Sequence, residues 1–598
     1  MSSLYLELLK EWCDALLGLQ INEMKAPALY GGILCPACAR VHGRCADAVY
    51  PLMHMAHATG ERRYMDAAVR LQAWSDNMSC PDGSWVNEPD SSWKAITVFG
   101  TLSLGEALRH HGALLEKEIY SRWLRRMEKG AEYVYENFTI NTGNINYPIT
   151  AAAALTVAGM LLGRPSFLEK GREFAHASLR YFTENMLLFG EGDPRDGYSP
   201  RGCRAVDLGY NVEESLPALV LYGRLTGDED VLQAAEASMK AHLEFMLPDG
   251  AWDNSWGSRD FKWTYWGSRT SDGCQAAYAL LADRDPVFAE AAIRNARLLK
   301  SCTYDGILYG GPHYRIKGEW PCIHHTFAHA KALAAALDSG ADGSCSMFPA
   351  VLPRETARGV REYPEISTWL AASGPWRATI TSYDWEYMKE GHPSGGSLSM
   401  LWHEALGPVL AASLTEYAMK EPANMQRVKD SVDMSLTPRL ELVRNGVHYR
   451  SICDYNADVS YDCSGEEIRF RSSGRLVDGD QRNPSCGEVK FIIWYLIRPG
   501  SFEISVKCDA QPQAGELYYY LPVISDWTEK IERPAPGTAE ICKNGKRLQI
   551  SSSSPLETTE CPGGRVFNHV PGFQAVPLYI RPEADSRIVI TAGQQAGS

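Results

Sequence analysis

TGERRYMDAAVRLQ (59–72) and TGDEDVLQAAEASM (226–239) open alike, on a Thr-Gly turn and acidic residues followed by apolar positions spaced three and four apart. GRPSFLEKGREFA (163–175) and DRDPVFAEAAIRNA (283–296) follow the same plan. In each, a turn holding Gly or Asp feeds an amphipathic helix. Working outward from these anchors, twelve helical stretches are predicted, at roughly 3–19, 44–58, 62–77, 93–111, 116–137, 148–162, 165–187, 211–226, 229–247, 272–284, 286–301 and 324–338. The loops echo as well, with PDGSW at 81–85 and PDGAW at 248–252. Twelve helices in six pairs give a period of about 55 residues, that of stacked helical hairpins. Such hairpins either close into an (α/α)6 toroid or stay open as a solenoid. The long Trp- and Gly-rich loops favour a ring with a cavity at one end.

Beyond residue 345 the texture changes. YPEISTWLAASGPWRATITSYDWEYM (363–388), KFIIWYLIRPGSFEISVKC (490–508) and GELYYYLPVIS (515–525) alternate polar and apolar residues between turn signals, the pattern of an antiparallel β-sandwich. The expected organisation is α+β and multidomain. A toroid spans 1–340, a β-sandwich spans 341–598, and 338–349 is read as linker. The segment 397–419 stands apart, compatible with a strand then a helix, and is left open.

Composition narrows the function. Lys and Arg number 59 against 73 Asp and Glu, a net charge of −14 over 598 residues. Nucleic-acid binding needs a basic footprint, so that class is set aside. No phosphate loop, dinucleotide fingerprint or G-x-S-x-G elbow occurs, which argues against kinase, dehydrogenase and α/β-hydrolase chemistry. The start, MSSLYLELLKEWCDALLGLQ, lacks the basic and apolar regions of a signal peptide, and no apolar run reaches membrane-spanning length. A cytoplasmic location with reduced cysteines is expected. Oligomeric state is open, with a homo-oligomer compatible.

Five loops hold the candidate chemistry. YGGILCPACARVHGRCADAVYP (30–51) places Cys35, Cys38, His42 and Cys45 in a C-x2-C-x3-H-x2-C spacing that suits tetrahedral zinc, or reduced thiols packing a loop. No cofactor is otherwise required. His42 and Arg44 precede a helix where a substrate anion would meet them. NTGNINYPIT (141–150) supplies Asn146 and Tyr147, an amide and a phenol able to bind a carboxylate or move a proton, or simply a turn. VDLGYNVEESLPALVLY (206–222) supplies the carboxylates Asp207, Glu213 and Glu214 near a helix start. Neighbours on a helix point about 100° apart, so one of the two glutamates can face a cavity while the other caps or packs. DGAWDNSWGSRDFKWTYWGSRTSDG (249–273) combines Trp252, Trp256 and Trp266 with Asp253, Arg259, Lys262, Arg269 and Asp272, aromatic faces beside basic forks that suit a sugar ring and its carboxylate. GGPHYRIKGEWPCIHHTFAHAK (310–331) supplies His313, Tyr314, His324 and His325.

A helical toroid followed by a β-sandwich, carrying these loops, resembles the carbohydrate-active toroid enzymes, in particular the heparinase II/III-like group and the glucuronidases of glycoside hydrolase family 154. In heparinase-type lyases an Asn or Gln neutralises the uronate carboxylate while a Tyr and a His handle the C5 proton and the leaving oxygen. The resemblance implies those roles for Asn146, Tyr210 and His325. One patch departs from it: Glu213-Glu214-Ser215 is followed by Leu216-Pro217-Ala218-Leu219, without the expected tyrosine. That departure tilts the expectation toward an exo-acting glycoside hydrolase removing glucuronate from oligosaccharides, with Glu213 or Glu214 and Asp253 or Asp272 as the carboxylate pair. A uronate-directed lyase using Tyr and His is the alternative, and a non-catalytic glycan-binding protein is the third reading.

Overall fold

The computed structural model describes residues 3–23, 25–344, 349–416, 434–583 and 585–594. Helices α1 (Leu4–Leu19), α2 (Val49–Thr59), α3 (Arg62–Ser75), α4 (Thr97–His111), α5 (Lys117–Asn137), α6 (Asn146–Leu162), α7 (Pro165–Ser178), α8 (Leu216–Thr226), α9 (Glu229–Leu243), α10 (Gln275–Tyr278), α11 (Pro286–Ser301) and α12 (Ile323–Asp338) form the helical half. The even-numbered helices make the inner wall, each touching the next, and α12 returns to touch α2 and closes the ring. The odd-numbered helices pack outside, α3 on α2 and so on round to α1 on α12. The open solenoid is thereby excluded.

Burial follows from the sequence pattern. Inner helix α6 is apolar all round and buried along most of its length, as a helix enclosed by neighbours must be. Outer helix α5 buries one stripe (Trp123, Arg126, Met127, Gly130, Ala131 and Val134) and leaves its charges to solvent. The recurring Gly turns are the inner-to-outer corners. Gly60, Gly163 and Gly227 end α2, α6 and α8 in the left-handed conformation. Asp228 then caps α9 through the Val231 N–H, and Asp285 caps α11 through that of Val287.

Several predicted bounds shift. The stretch 272–284 forms only the short α10, and 93–111 is helical only from Thr97. The ambiguous segment 397–419 is strand at Ser397–His403 and Gly407–Ala411, with 417–419 outside the described residues. The expected linker 338–349 follows α12, and within it 345–348 also lie outside them.

The second half is antiparallel sheet. A five-stranded meander runs from Gly359–Tyr363 to Gly407–Ala411. A six-stranded sheet has Glu516–Ile524 between Arg439–Arg444 and Phe573–Ile580. An eight-stranded sheet is built around Ser501–Cys508 and Ser586–Gln594. The sheets share one apolar core holding Trp376, Phe470, Tyr495, Phe502 and Tyr519, which makes the sandwich. Among the described residues no helix is long and apolar enough to cross a membrane.

The two halves are joined by a further apolar cluster. Phe261, Trp263 and Tyr265 of the 249–273 loop pack with Met400, Trp402 and Phe573 of the sheets and with Val570 in the turn before Phe573. Buried Asp253 accepts from Arg354 Nη1 at 2.6 Å and from the Thr379 hydroxyl. Gly311 and Gly572 cross so closely that a Cβ on Gly311 would lie 2.5 Å from the Gly572 Cα.

Candidate active site

The loops at one end of the ring enclose a cavity of about 440 Å³. Its wall takes residues from seven separate stretches. Arg44, Asn87, Glu88, Trp93 and Phe99 come from the α2 and α4 side. Asn144, Asn146 and Tyr147 come from the start of α6. Tyr210 and Glu214 precede α8, Arg259, Lys262 and Thr270 sit on the long loop, and His324 opens α12. Tyr387 reaches in from the sheet half. A cavity of this size with a few convergent polar groups is in the range of small-molecule binding sites.

The backbone before α8 places the two glutamates. Leu208–Tyr210 starts as α-helix, Asn211–Ser215 widens into a π-turn, and α8 follows. Such insertions re-aim side chains and recur at functional sites. Glu213 points into protein, where Oε2 accepts from the Ser268 N–H at 2.9 Å and the Ser271 hydroxyl at 2.7 Å. Gly267 has no side chain because a Cβ there would lie 1.9 Å from Glu213 Oε1. Glu214 turns to the cavity and accepts from Asn146 Nδ2 at 2.6 Å. Burial, reinforced by the negative charge of Asp272, pushes its carboxyl up to about 8. At neutral pH it is therefore an acid, able to donate to a bound carboxylate.

Tyr210 is hydrogen-bonded to the Thr270 hydroxyl. The Arg259 guanidinium stands 3.8 Å from its ring centre and Lys262 Nζ 5.9 Å away. Burial raises the Tyr210 phenol well above its ordinary value, so it is protonated at rest. Arg259 is oriented by Glu191, whose other oxygen accepts the Asn146 N–H. Tyr147, pushed up to about 12 by burial, accepts from Trp93 Nε1 at 3.2 Å. His324 is neutral, since burial and then the Arg44 cation hold its imidazole well below the ordinary range. Its Nε2 has no protein partner.

The structure therefore brings together Arg44, Asn146, Tyr147, Tyr210, Glu214, Arg259, Lys262 and His324 from the sequence candidates. It sends others elsewhere. Trp252 packs on Tyr278, Trp256 on Phe245, and Trp266 donates to the Tyr309 carbonyl against His325 and His329. All three tryptophans are fully buried, so they form no sugar platform. His325 accordingly packs in the core away from the cavity wall, and His324 holds the place expected of it. Arg269 donates to the His569 carbonyl, Tyr314 donates to the same carbonyl, and His313 accepts from the Gln574 N–H, all at the junction of the halves. His42 is engaged with Cys38 and Glu88. Trp93 and Tyr387, 47% and 37% exposed, are the aromatic faces that sequence reasoning missed. Each stands in a stretch with no local motif.

The expected hydrolytic carboxylate pair is not assembled. Glu213 and Asp253 are consumed by the buried contacts described above. Asp272 bridges Arg44 at 3.2 Å and Lys331 at 2.7 Å. Of the two carboxylates on the cavity wall, Glu88 is bonded to His42, leaving Glu214 alone. Two cooperating carboxyl groups flanking one bond are thus absent from the described residues of the wall.

Because Glu214 is neutral below about pH 8, binding of any anionic ligand in the cavity is expected to weaken above it. The rate at low substrate should fall by up to about tenfold per pH unit on the alkaline side. Glu214→Gln, uncharged throughout, should keep activity at pH 7 within about tenfold and lose that limb. A pH profile of kcat/KM for both forms tests this, and an unchanged alkaline limb in the variant would refute the assignment.

Comparison with known proteins gives consistent results over the whole length. The model of the ulvan lyase N-terminal domain matches residues 9–354, and that of the ulvan lyase C-terminal domain matches 360–593. A broad-specificity ulvan lyase of Formosa agariphila is 40% identical over 579 residues, covering 96% of this chain and 90% of that one. Among solved structures, a Paenibacillus xanthan lyase is similar with a TM-score of 0.55 at 10% identity, over 99% of this chain and 57% of that one. A chondroitin AC lyase of Streptomyces coelicolor A3 gives 0.51 at 12% identity, over 99% and 79%. A heparinase III gives 0.50 at 9%, over 98% and 84%. At such identities the likeness is one of fold.

Proposed function

Because the chain belongs to the ulvan lyase family, we propose that it cleaves a uronic-acid-containing polysaccharide, ulvan, by β-elimination. This membership overturns the glycoside hydrolase and glucuronidase expectation, which rested on a carboxylate pair. The lyase alternative takes its place.

One observation carries the reading. The cavity sets a protonated phenol (Tyr210), a neutral imidazole (His324) and cations (Arg44 and Arg259) around a carboxyl group that is itself uncharged. Elimination needs this set. The C5 proton of a uronate is removable only when the adjoining carboxylate is neutralised, so that negative charge can spread onto it. Asn146, the Glu214 acid and Arg259 serve that purpose. His324, uncharged and unpartnered at Nε2, accepts the C5 proton. Electrons then form the C4=C5 double bond and the C4–O bond breaks. Tyr210 delivers its proton to the leaving oxygen, and the neighbouring Arg259 and Lys262 cations limit the cost of the phenolate. Trp93 and Tyr387 offer the exposed faces against which sugar rings can lie.

Incubation with ulvan oligosaccharides, following ultraviolet absorbance together with free uronic acid, tests the proposal. A rise in absorbance with unsaturated uronate at the new non-reducing ends is expected. Saturated uronate without absorbance would sink it, as would binding without turnover.

A further inference from the structure

The cysteine-rich loop ahead of α2 does not close on itself. Cys35, Cys38 and His42 bring their ligand atoms within 4.8 Å of one another, and Cys38 Sγ lies 3.0 Å from His42 Nε2. Cys45, the fourth member by sequence spacing, and Cys322 both stay outside this group of three, Cys45 in the apolar core and Cys322 beside Cys35. A different thiol arrives from far along the chain. Cys322, the residue capping α12, sets its Sγ 3.9 Å from that of Cys35.

That separation is informative. Two thiolates on one zinc, with bonds of about 2.3 Å at the tetrahedral angle, lie about 3.8 Å apart. A disulfide would bring the sulfurs to about 2.05 Å. The remaining ring nitrogen of His42, Nδ1, is hydrogen-bonded to the Glu88 carboxylate. A carboxylate behind a histidine fixes the tautomer that leaves Nε2 free for a metal. Three sulfurs and one such imidazole are the donor set of a closed structural zinc site.

We propose that Cys35, Cys38, His42 and Cys322 hold a structural zinc ion. The site takes Cys322 in place of Cys45. It staples the loop at 35–42 to the start of α12, across 287 residues of chain. Both ends adjoin the cavity, since Glu88 and Arg44 stand on its wall and His324 lies two residues beyond Cys322. The metal positions these groups and touches no substrate. The site stands apart from the lyase reading, because a protein inactive on ulvan would still carry the ion.

The test is metal content. Full-length protein purified without chelator from zinc-supplemented medium is expected to hold about one zinc per chain. Cys322→Ser and Cys38→Ser should retain less than about a tenth of that, and Cys45→Ser should retain all of it. Cobalt exchanged into the unmutated protein should show thiolate-to-metal charge-transfer bands and the intense visible bands of a tetrahedral ion, a readout that does not depend on any variant folding. The proposal is overturned if zinc-replete protein holds no stoichiometric metal, or if those cobalt bands are absent. It also fails if Cys322→Ser keeps its zinc while Cys45→Ser loses it, or if mass spectrometry of the native protein finds a Cys35–Cys322 disulfide.

Discussion

Tyr210→Phe is expected to lower kcat by about 10²–10⁴-fold, the contribution of a positioned proton donor, with a much smaller change in KM. The ring would still fill its place beneath Arg259, 3.8 Å from the guanidinium, so packing survives and only the hydroxyl is lost. Without that proton the C4 oxygen must leave as an alkoxide in a site that is largely buried, where charge is costly. Thr270 cannot replace it, since an aliphatic hydroxyl is a far weaker acid. Single-turnover measurements of unsaturated product, with thermal melting as the control for folding, decide the matter. A variant within threefold of the parent would remove Tyr210 from the chemistry.

His324→Ala is expected to cost about 10²–10⁴-fold in kcat as the loss of the general base. Because burial and the Arg44 cation keep this imidazole neutral, the parent enzyme should show no acidic limb from it between about pH 6 and 8. A histidine acting as a cation toward the uronate would give the opposite sign, with activity rising as pH falls. The position is two residues from Cys322, so metal content must be measured alongside. Full zinc content with lost turnover identifies a chemical defect. Unchanged turnover on ulvan would transfer the base role to another residue.

Much of the ring was readable because its signals are local. A helix facing neighbours on all sides is apolar all round, as α6 is, and a corner between inner and outer helices needs a residue that tolerates positive φ, hence Gly60, Gly163 and Gly227. The site was readable only in pieces. Asn146, Tyr147, Tyr210, Arg259 and Lys262 each lie in a conspicuous loop, yet which side of a helix start faces inward depends on phase. His324 and His325 differ by about 100°, and spacing alone does not choose between them. Before α8 the π-turn shifts that phase again, which separates Glu214 from Glu213. The tryptophans of 249–273 look the same in sequence whether they hold a sugar or, like Trp252, Trp256 and Trp266, fill the apolar core. Tyr387 and Cys322 owe their places to chain closure over hundreds of residues, and no spacing rule reports it.

The crossing of Gly311 over Gly572 has a mechanical consequence. Backbones in contact there, an arginine from the connecting segment bonded to Asp253, and the Phe261–Trp263–Tyr265 plug tie the two halves together at three points. On the lyase reading, a polymer chain then enters a cleft whose two sides are tied together, and grip and release along the strand fall first to side-chain rearrangement at its wall.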